Sequence, residues 1–428
     1  MGAAAAAIAA AALLLGGAFR GGSAPAAPRV PARIAAESLQ TGFGANSTAT
    51  IVVRLQSQLR STPDDPNRLA LLGLAYEQRA REAGDPSYYT KAGQALRRSL
   101  ALAPNGLTAT SGLGSLALSR HRFRDALAIG RRALRISPST ALTYGIVGDA
   151  LVELGRYRAG FVAYDRMAAM KPGLPAYARV AHARELLGDV AGARRTMLLA
   201  RDAAQGQAEP TAWTEWQLGK LAFGHADYRD AQRRYENALT AFPDYVYALD
   251  ALAALRFAQG RYHDAVALEQ RAVDRIPLPQ FVAQLGDMYH ATGRAKRARE
   301  QYATIGVIER LLRANGVRID LETALFDADH GHASIALARR AERERPSIDG
   351  ADVLAWTLAR DGRCADALPW SAHALRLGTQ DALKFFHRAA IEDCVGDHAA
   401  ARAWARRALV LNPHFSVLWA PTARSLAR

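Results

Sequence analysis

Apolar residues recur along the chain at intervals of three and four, in short blocks separated by polar or glycine-containing breaks. The stretch LVELGRYRAGFVAYDRM shows the pattern: two amphipathic helices, parted where Gly155-Arg156-Tyr157 interrupts the period. Proline punctuates it. Pro104, Pro138 and Pro172 lie 34 residues apart, and Pro243 and Pro277 repeat the interval. Each stands where a helix should stop, because proline cannot continue one. In the unit that ends at Pro172 stand Gly148, Leu151, Gly155, Tyr157 and Gly160. Gly219, Tyr228, Ala231, Tyr235 and Ala238 precede Pro243, and Gly260, Tyr262, Ala265 and Ala272 precede Pro277. Small residues at these places let two helix backbones approach closely while larger residues fill the grooves. One such pair cannot bury its apolar face alone, so the units must stack.

A small residue eighth, an aromatic seventeenth, small residues at twenty and twenty-seven and a proline at thirty-two resemble the tetratricopeptide (TPR) repeat. The resemblance implies an all-α, right-handed superhelical α-solenoid of about ten helix-turn-helix units over residues 50–415. A helix from about Thr50 to Arg60 caps the front, and residues 416–428 cap the end. The first unit carries a seven-residue expansion around AGDPSYYTK, and QGQAEP precedes the fifth. The second helix of unit seven runs on through Glu309 and Leu312. Unit eight departs furthest, with Leu325, Asp329 and Ser334 in the small and aromatic positions.

In the family that this pattern resembles, the first helices of successive units line a concave groove that takes an extended peptide or a partner helix. Trp213, Trp216, Lys220 and Phe223 form one helical stripe in unit five. Tyr247, Asp250, Ala254 and Phe257 form the next, and Gln280, Ala283, Asp287 and His290 continue it. Phe326, Trp356 and Phe386 would face the same side. Aromatic area with a few charges suits a groove that anchors a partner. The same spacing also suits the core within a repeat, although Leu218, Leu221 and Tyr235 already fill the core positions of unit five. The asparagine and basic clamp with which one TPR subclass reads a C-terminal carboxylate is not present. The expectation is therefore a non-catalytic scaffold binding a protein or peptide in the groove.

Composition refines this. Half of the 428 residues are hydrophobic and 22% charged, which excludes wholesale disorder. The net charge of +15 comes from 55 basic and 40 acidic residues, with only five lysines among the former. Arg97-Arg98, Arg131-Arg132, Arg339-Arg340 and Arg406-Arg407 fall on second helices, which predicts a basic band on the convex face. Contact of that band with anionic lipid, polymer or nucleic acid is the rival function. No base-stacking module or recognition-helix motif accompanies it, so no specific nucleic acid is expected. A third reading, an assembly or regulatory subunit of an enzyme complex, differs only in its partner.

The sequence has no phosphate loop, dinucleotide fingerprint, nucleophile elbow or zinc-protease helix, so neither an enzyme nor a cofactor is expected. The polar run Asp327-Ala328-Asp329-His330-Gly331-His332 meets no fixed ligand spacing and reads as a turn, not a metal site. Cys364 begins the second helix of unit nine and Cys394 lies late in the first helix of unit ten, which brings a disulfide within reach of export conditions. Residues 1–19 read as an apolar signal peptide or membrane anchor, and 20–49 as a flexible Pro/Gly/Ala linker. The chain is then exported or tethered, or cytoplasmic if that segment is only a tail.

Overall fold

The computed structural model describes residues 45–428 apart from residue 205, and within them the chain forms twenty-two helices and no strand. Helix α1 (Ala45–Ser61) stands in front of ten helix pairs. Units one to three are α2 (Pro66–Ala83) with α3 (Ser87–Leu102), α4 (Leu107–Ser119) with α5 (Phe123–Ile136), and α6 (Ala141–Glu153) with α7 (Tyr157–Met170). Units four to six are α8 (Leu174–Leu186) with α9 (Val190–Ala204), α10 (Ala208–Gly224) with α11 (Tyr228–Ala241), and α12 (Val246–Ala258) with α13 (Tyr262–Arg275). Units seven and eight are α14 (Pro279–Ala291) with α15 (Ala295–Ala314) and α16 (Asp320–Asp329) with α17 (Ile335–Glu344). Units nine and ten are α18 (Ile348–Arg360) with α19 (Cys364–Ala374) and α20 (Ala382–Val395) with α21 (His398–Leu411); α22 (Ala420–Leu426) follows. The expected leader, and the expected linker up to residue 44, lie outside the described residues. No helix among the described residues is long and apolar enough to cross a membrane.

Local chemistry sets the helix ends. Asp65, Asp227, Ser347, Asp381 and Asp397 each accept a backbone N–H of the first turn that follows, satisfying donors that the helix cannot use itself. The turn inside unit three closes with Gly155 N donating to the Val152 carbonyl at 2.9 Å and Arg156 N to that of Leu151 at 2.8 Å. This left-handed stop is of the kind glycine permits.

Within a pair, the small eighth residue meets a large residue of the second helix. A Cβ on Gly148, Gly219 or Gly286 would stand 2.5, 2.4 or 2.3 Å from the ring of Tyr164, Tyr235 or Tyr302. The ring therefore lies flat against bare backbone. In unit one the partner of Gly73 is Leu96, displaced along the chain by the seven-residue expansion. Cys364 and Cys394 have Cα atoms 5.8 Å apart and are joined as a disulfide, tying unit nine to unit ten.

The winding is tight enough for one superhelical turn to sit on the next. The turn inside each of the first four units docks on the loop that precedes the unit six places later, and that of unit five docks on the loop between unit ten and α22. Gly84 abuts Ile276. His121 Nδ1 lies 2.8 Å from the carbonyl oxygen of Arg318, whose own N–H donates to Arg120 O at 3.0 Å. Gly155 presses on Pro346, and Ile348 N donates to the Tyr157 hydroxyl at 2.7 Å. Thr379 donates to the Leu186 carbonyl, beside Gly188. Asn412 Nδ2 donates to Phe223 O at 2.9 Å, and its Oδ1 accepts from the Tyr228 hydroxyl at 2.6 Å. At Gly155 only glycine serves: φ is +68° and a Cβ would stand 2.1 Å from the Pro346 carbonyl oxygen. A largely buried ion cluster lies on this seam. Arg345, 4% exposed, pairs with Glu153 of unit three and with Glu322 and Asp349.

Candidate binding chamber

Because the turns touch, the inner surface is partly closed, not a plain open groove. It holds a chamber of about 700 Å³ walled by first helices of units four to ten and by the segment leading into α22. A narrower recess of about 140 Å³ lies between units one and two and units six to eight. Asp287 and Asp329 line both.

Of the stripe residues, Trp216, Lys220, Phe223, Asp250, Phe257 and Asp287 line the chamber, and Tyr247 lines the recess. Trp213 is 1% exposed, packed in the core with Tyr235 and Leu218, and lines neither cavity. His290 is exposed outside both. Trp216 is only 2% exposed and supports the wall through Tyr247, whose ring centroid lies 5.1 Å away. Farther along, Phe326 lines the recess, while Trp356 and Phe386 are buried against Trp419 of the C-terminal segment.

Charge in the chamber is opposite to that of the chain. Six carboxylates line it (Glu185, Asp250, Asp287, Asp329, Asp349 and Asp381) against three lysines or arginines (Lys220, Lys384 and Arg424). Lys384 is committed to Asp381 at 2.7 Å and Asp349 at 2.9 Å. Burial works against ionisation of Asp381, but the Lys384 ammonium prevails and brings it to about 2. Lys220 has no carboxylate within ion-pair distance among the described residues; its ammonium lies 4.9 Å from the Trp216 ring centroid. Burial lowers its pKa, opposed by the more distant Glu185, Asp250 and Asp381.

In the wall, Gln284 Nε2 donates at 2.9 Å to both Asp250 and Glu269. Burial raises Asp250 to about 7 and Glu269 well above the usual carboxylate range. The native state thus holds protons that the unfolded chain releases near pH 4, so this pair stabilises the fold at low pH and the contribution is lost as the pH rises from about 4 through 7. Urea unfolding at pH 5 and pH 7.5 should show stability falling with pH, and falling less in Asp250→Asn. Equal slopes would exclude proton retention by this pair.

Sequence reasoning passed over Glu185, Asp329, Asp349, Asp381, Lys384 and Trp419. Asp329 sits in the irregular unit eight, inside the run read as a polar turn. Asp381 and Lys384 adjoin Phe386, the one residue of unit ten that the spacing singled out for the inner side. The eight paired arginines are all exposed on second helices. Arg98 and Arg340 pair with Asp64 and Asp320, at 2.9 and 2.8 Å, while Arg407 covers the rings of Phe385 and Trp404.

No family model matches the chain. A curated relative, anaphase-promoting complex subunit 7 of Arabidopsis thaliana, is 25% identical over 178 residues, 42% of this chain and 31% of its own. The chain thus matches under a third of that relative's length. Among solved structures, a human IFIT1 dimer with m7Gppp-AAAA aligns over 76% of both chains with a TM-score of 0.50 and 16% identity. A tetratricopeptide repeat protein from Parabacteroides merdae aligns over 56% of this chain and 98% of its own, with a TM-score of 0.41 and 15% identity. At these identities the likeness is one of fold.

Proposed function

From the premise that the chain is a tetratricopeptide-type solenoid of ten helix pairs, we propose that it is a non-catalytic interaction scaffold holding a short segment of a partner protein in its central chamber. The supporting observation is the chamber itself. Its volume of about 700 Å³ lies in the range of specific ligand sites, and it combines aromatic wall with a few fixed charges. Phe223, Phe257 and Tyr262 offer contact area, while Lys220 and the carboxylates fix orientation. The inner charge argues against a polyanion. The IFIT1 dimer was solved with m7Gppp-AAAA, whereas an RNA here would face six carboxylates across a confined space.

Ala254 lines the chamber without contributing to its polar set, so Ala254→Trp fills the space and leaves the charges in place. Peptides selected by display on the immobilised full chain should bind the wild type and lose at least ten-fold in affinity for Ala254→Trp by calorimetry, with helical content unchanged. Equal affinity for both proteins would place the interaction outside the chamber.

A further inference from the structure

We infer that the bound segment carries a cationic side chain beside a leucine- or phenylalanine-sized apolar one, the cation held by Asp329 at the neck between the two cavities and the apolar group seated in the recess. This rests on the reading of the chamber as the binding site.

The neck is built for a positive charge. Asp287 and Asp329 border both the chamber and the recess. In each, the protein's hydrogen bonds converge on one oxygen. Asp287 Oδ1 accepts from the Tyr302 hydroxyl at 2.8 Å and lies 2.9 Å from His330 Nε2. Asp329 Oδ1 accepts from the indole N–H of Trp356 at 2.9 Å and of Trp419 at 2.8 Å. Oδ2 of each carboxylate receives no hydrogen bond from the described residues. The ion pair with His330 balances Asp287. Asp329 has no such partner: neighbouring Arg360 donates to the Ala328 carbonyl and lies over the Trp356 and Trp419 rings, forming no ion pair with Asp329. A carboxylate oriented by two indoles, uncompensated and partly withdrawn from water, attracts a cation more strongly than one at an open surface. The aromatic walls add to that attraction.

The recess sets the second requirement. Ile276, Leu278, Ile305, Val317, Leu325 and Phe326 supply much of its lining. At about 140 Å³ it is close to the roughly 150 Å³ of an apolar cavity known to take one benzene ring. Gln280 Nε2, in the same wall, is buried without a hydrogen-bond partner, leaving a donor for a carbonyl of the incoming backbone.

The probes are three blocked hexapeptides, Gly-Gly-Lys-Phe-Gly-Gly and its versions with Glu for Lys or Ala for Phe, together with phenethylamine. All are titrated into the full chain, Asp329→Asn, Ala283→Leu and Ala254→Trp. Asparagine still accepts from both indoles, and circular dichroism checks each variant. The Lys-Phe peptide should bind at least ten-fold more tightly than the Glu and Ala versions. Asp329→Asn should remove the preference for Lys. Ala283→Leu, which narrows the recess but leaves the neck charges in place, should remove the preference for Phe. Equal binding of the Lys and Glu peptides, with both abolished by Ala254→Trp, would overturn the inference while keeping the chamber as the site. Binding of the peptides unaffected by Ala254→Trp would overturn the chamber reading itself. Phenethylamine binding that depends on Asp329, with none of the peptides bound, would transfer the same chemistry to a small amine and reject a protein segment as the occupant.

Discussion

Arg345→Met should destabilise the protein by about 3–5 kcal/mol, the usual cost of removing one partner from a buried ion cluster. The guanidinium is the cationic centre for Glu153, Glu322 and Asp349, drawn from two superhelical turns. Lys384 continues to serve Asp349, so the orphaned charge falls on Glu153 and Glu322. The loss should appear in urea unfolding at pH 7 and shrink as the pH is lowered, because protonating those two carboxyls removes the uncompensated charge. Small-angle scattering should show the variant less compact, since Arg345 joins unit three to unit eight. Unchanged stability and radius would mean that the turns are not held together here in solution.

Gly219→Val is expected to cost about 1–3 kcal/mol or more, for a different reason. The added Cβ would stand 2.4 Å from Tyr235, whose ring is 1% exposed and has no room to retreat. The two first helices flanking α10 pack against the same core, so the strain spreads to neighbouring units. Coupling to Tyr235→Ala makes the test specific. Removing the ring creates room for the valine, so the double variant should be less destabilised than the sum of the singles by thermal or denaturant unfolding. Strict additivity would show that the glycine is not required by that ring.

This contact also explains why the fold was legible. Gly148 with Tyr164, Gly219 with Tyr235 and Gly286 with Tyr302 are local pairs at constant spacing, so stacking imprints itself on the chain as a repeating pattern. The closing of the superhelix leaves no such imprint. His121, Gly155 and Gly188 read as ordinary turn residues, and the loops that meet them lie about 190 residues further on. An open groove was therefore the natural expectation from repeat spacing alone. The helical stripe of unit five was ambiguous for a related reason. Its helix is covered by its own pair on one side and faces the partly closed chamber on the other, so Trp213 enters the core while Lys220 and Phe223, on the same stripe, reach the chamber. Asp329 read only as part of a polar turn because its significance lies in two indoles, from α18 and from the segment before α22, converging on one oxygen. Periodicity carries no information about that convergence.

The docking of each early turn onto a loop six units later changes what kind of cooperative system this array is. A linear stack behaves like a one-dimensional chain of spins: each unit feels only its neighbours, and stretches can melt independently. Here units one to five each gain a second neighbour across the seam, through contacts such as Tyr157 with Ile348 and Phe223 with Asn412. The lattice is rolled into a cylinder. Those cross-contacts offer nothing to a growing nucleus until five further units are in place, which raises the contact order and slows folding relative to an open array of equal length. Once made, they bind front and rear halves into a common transition, so a cut between units five and six should weaken both pieces far more than the loss of a single nearest-neighbour interface would.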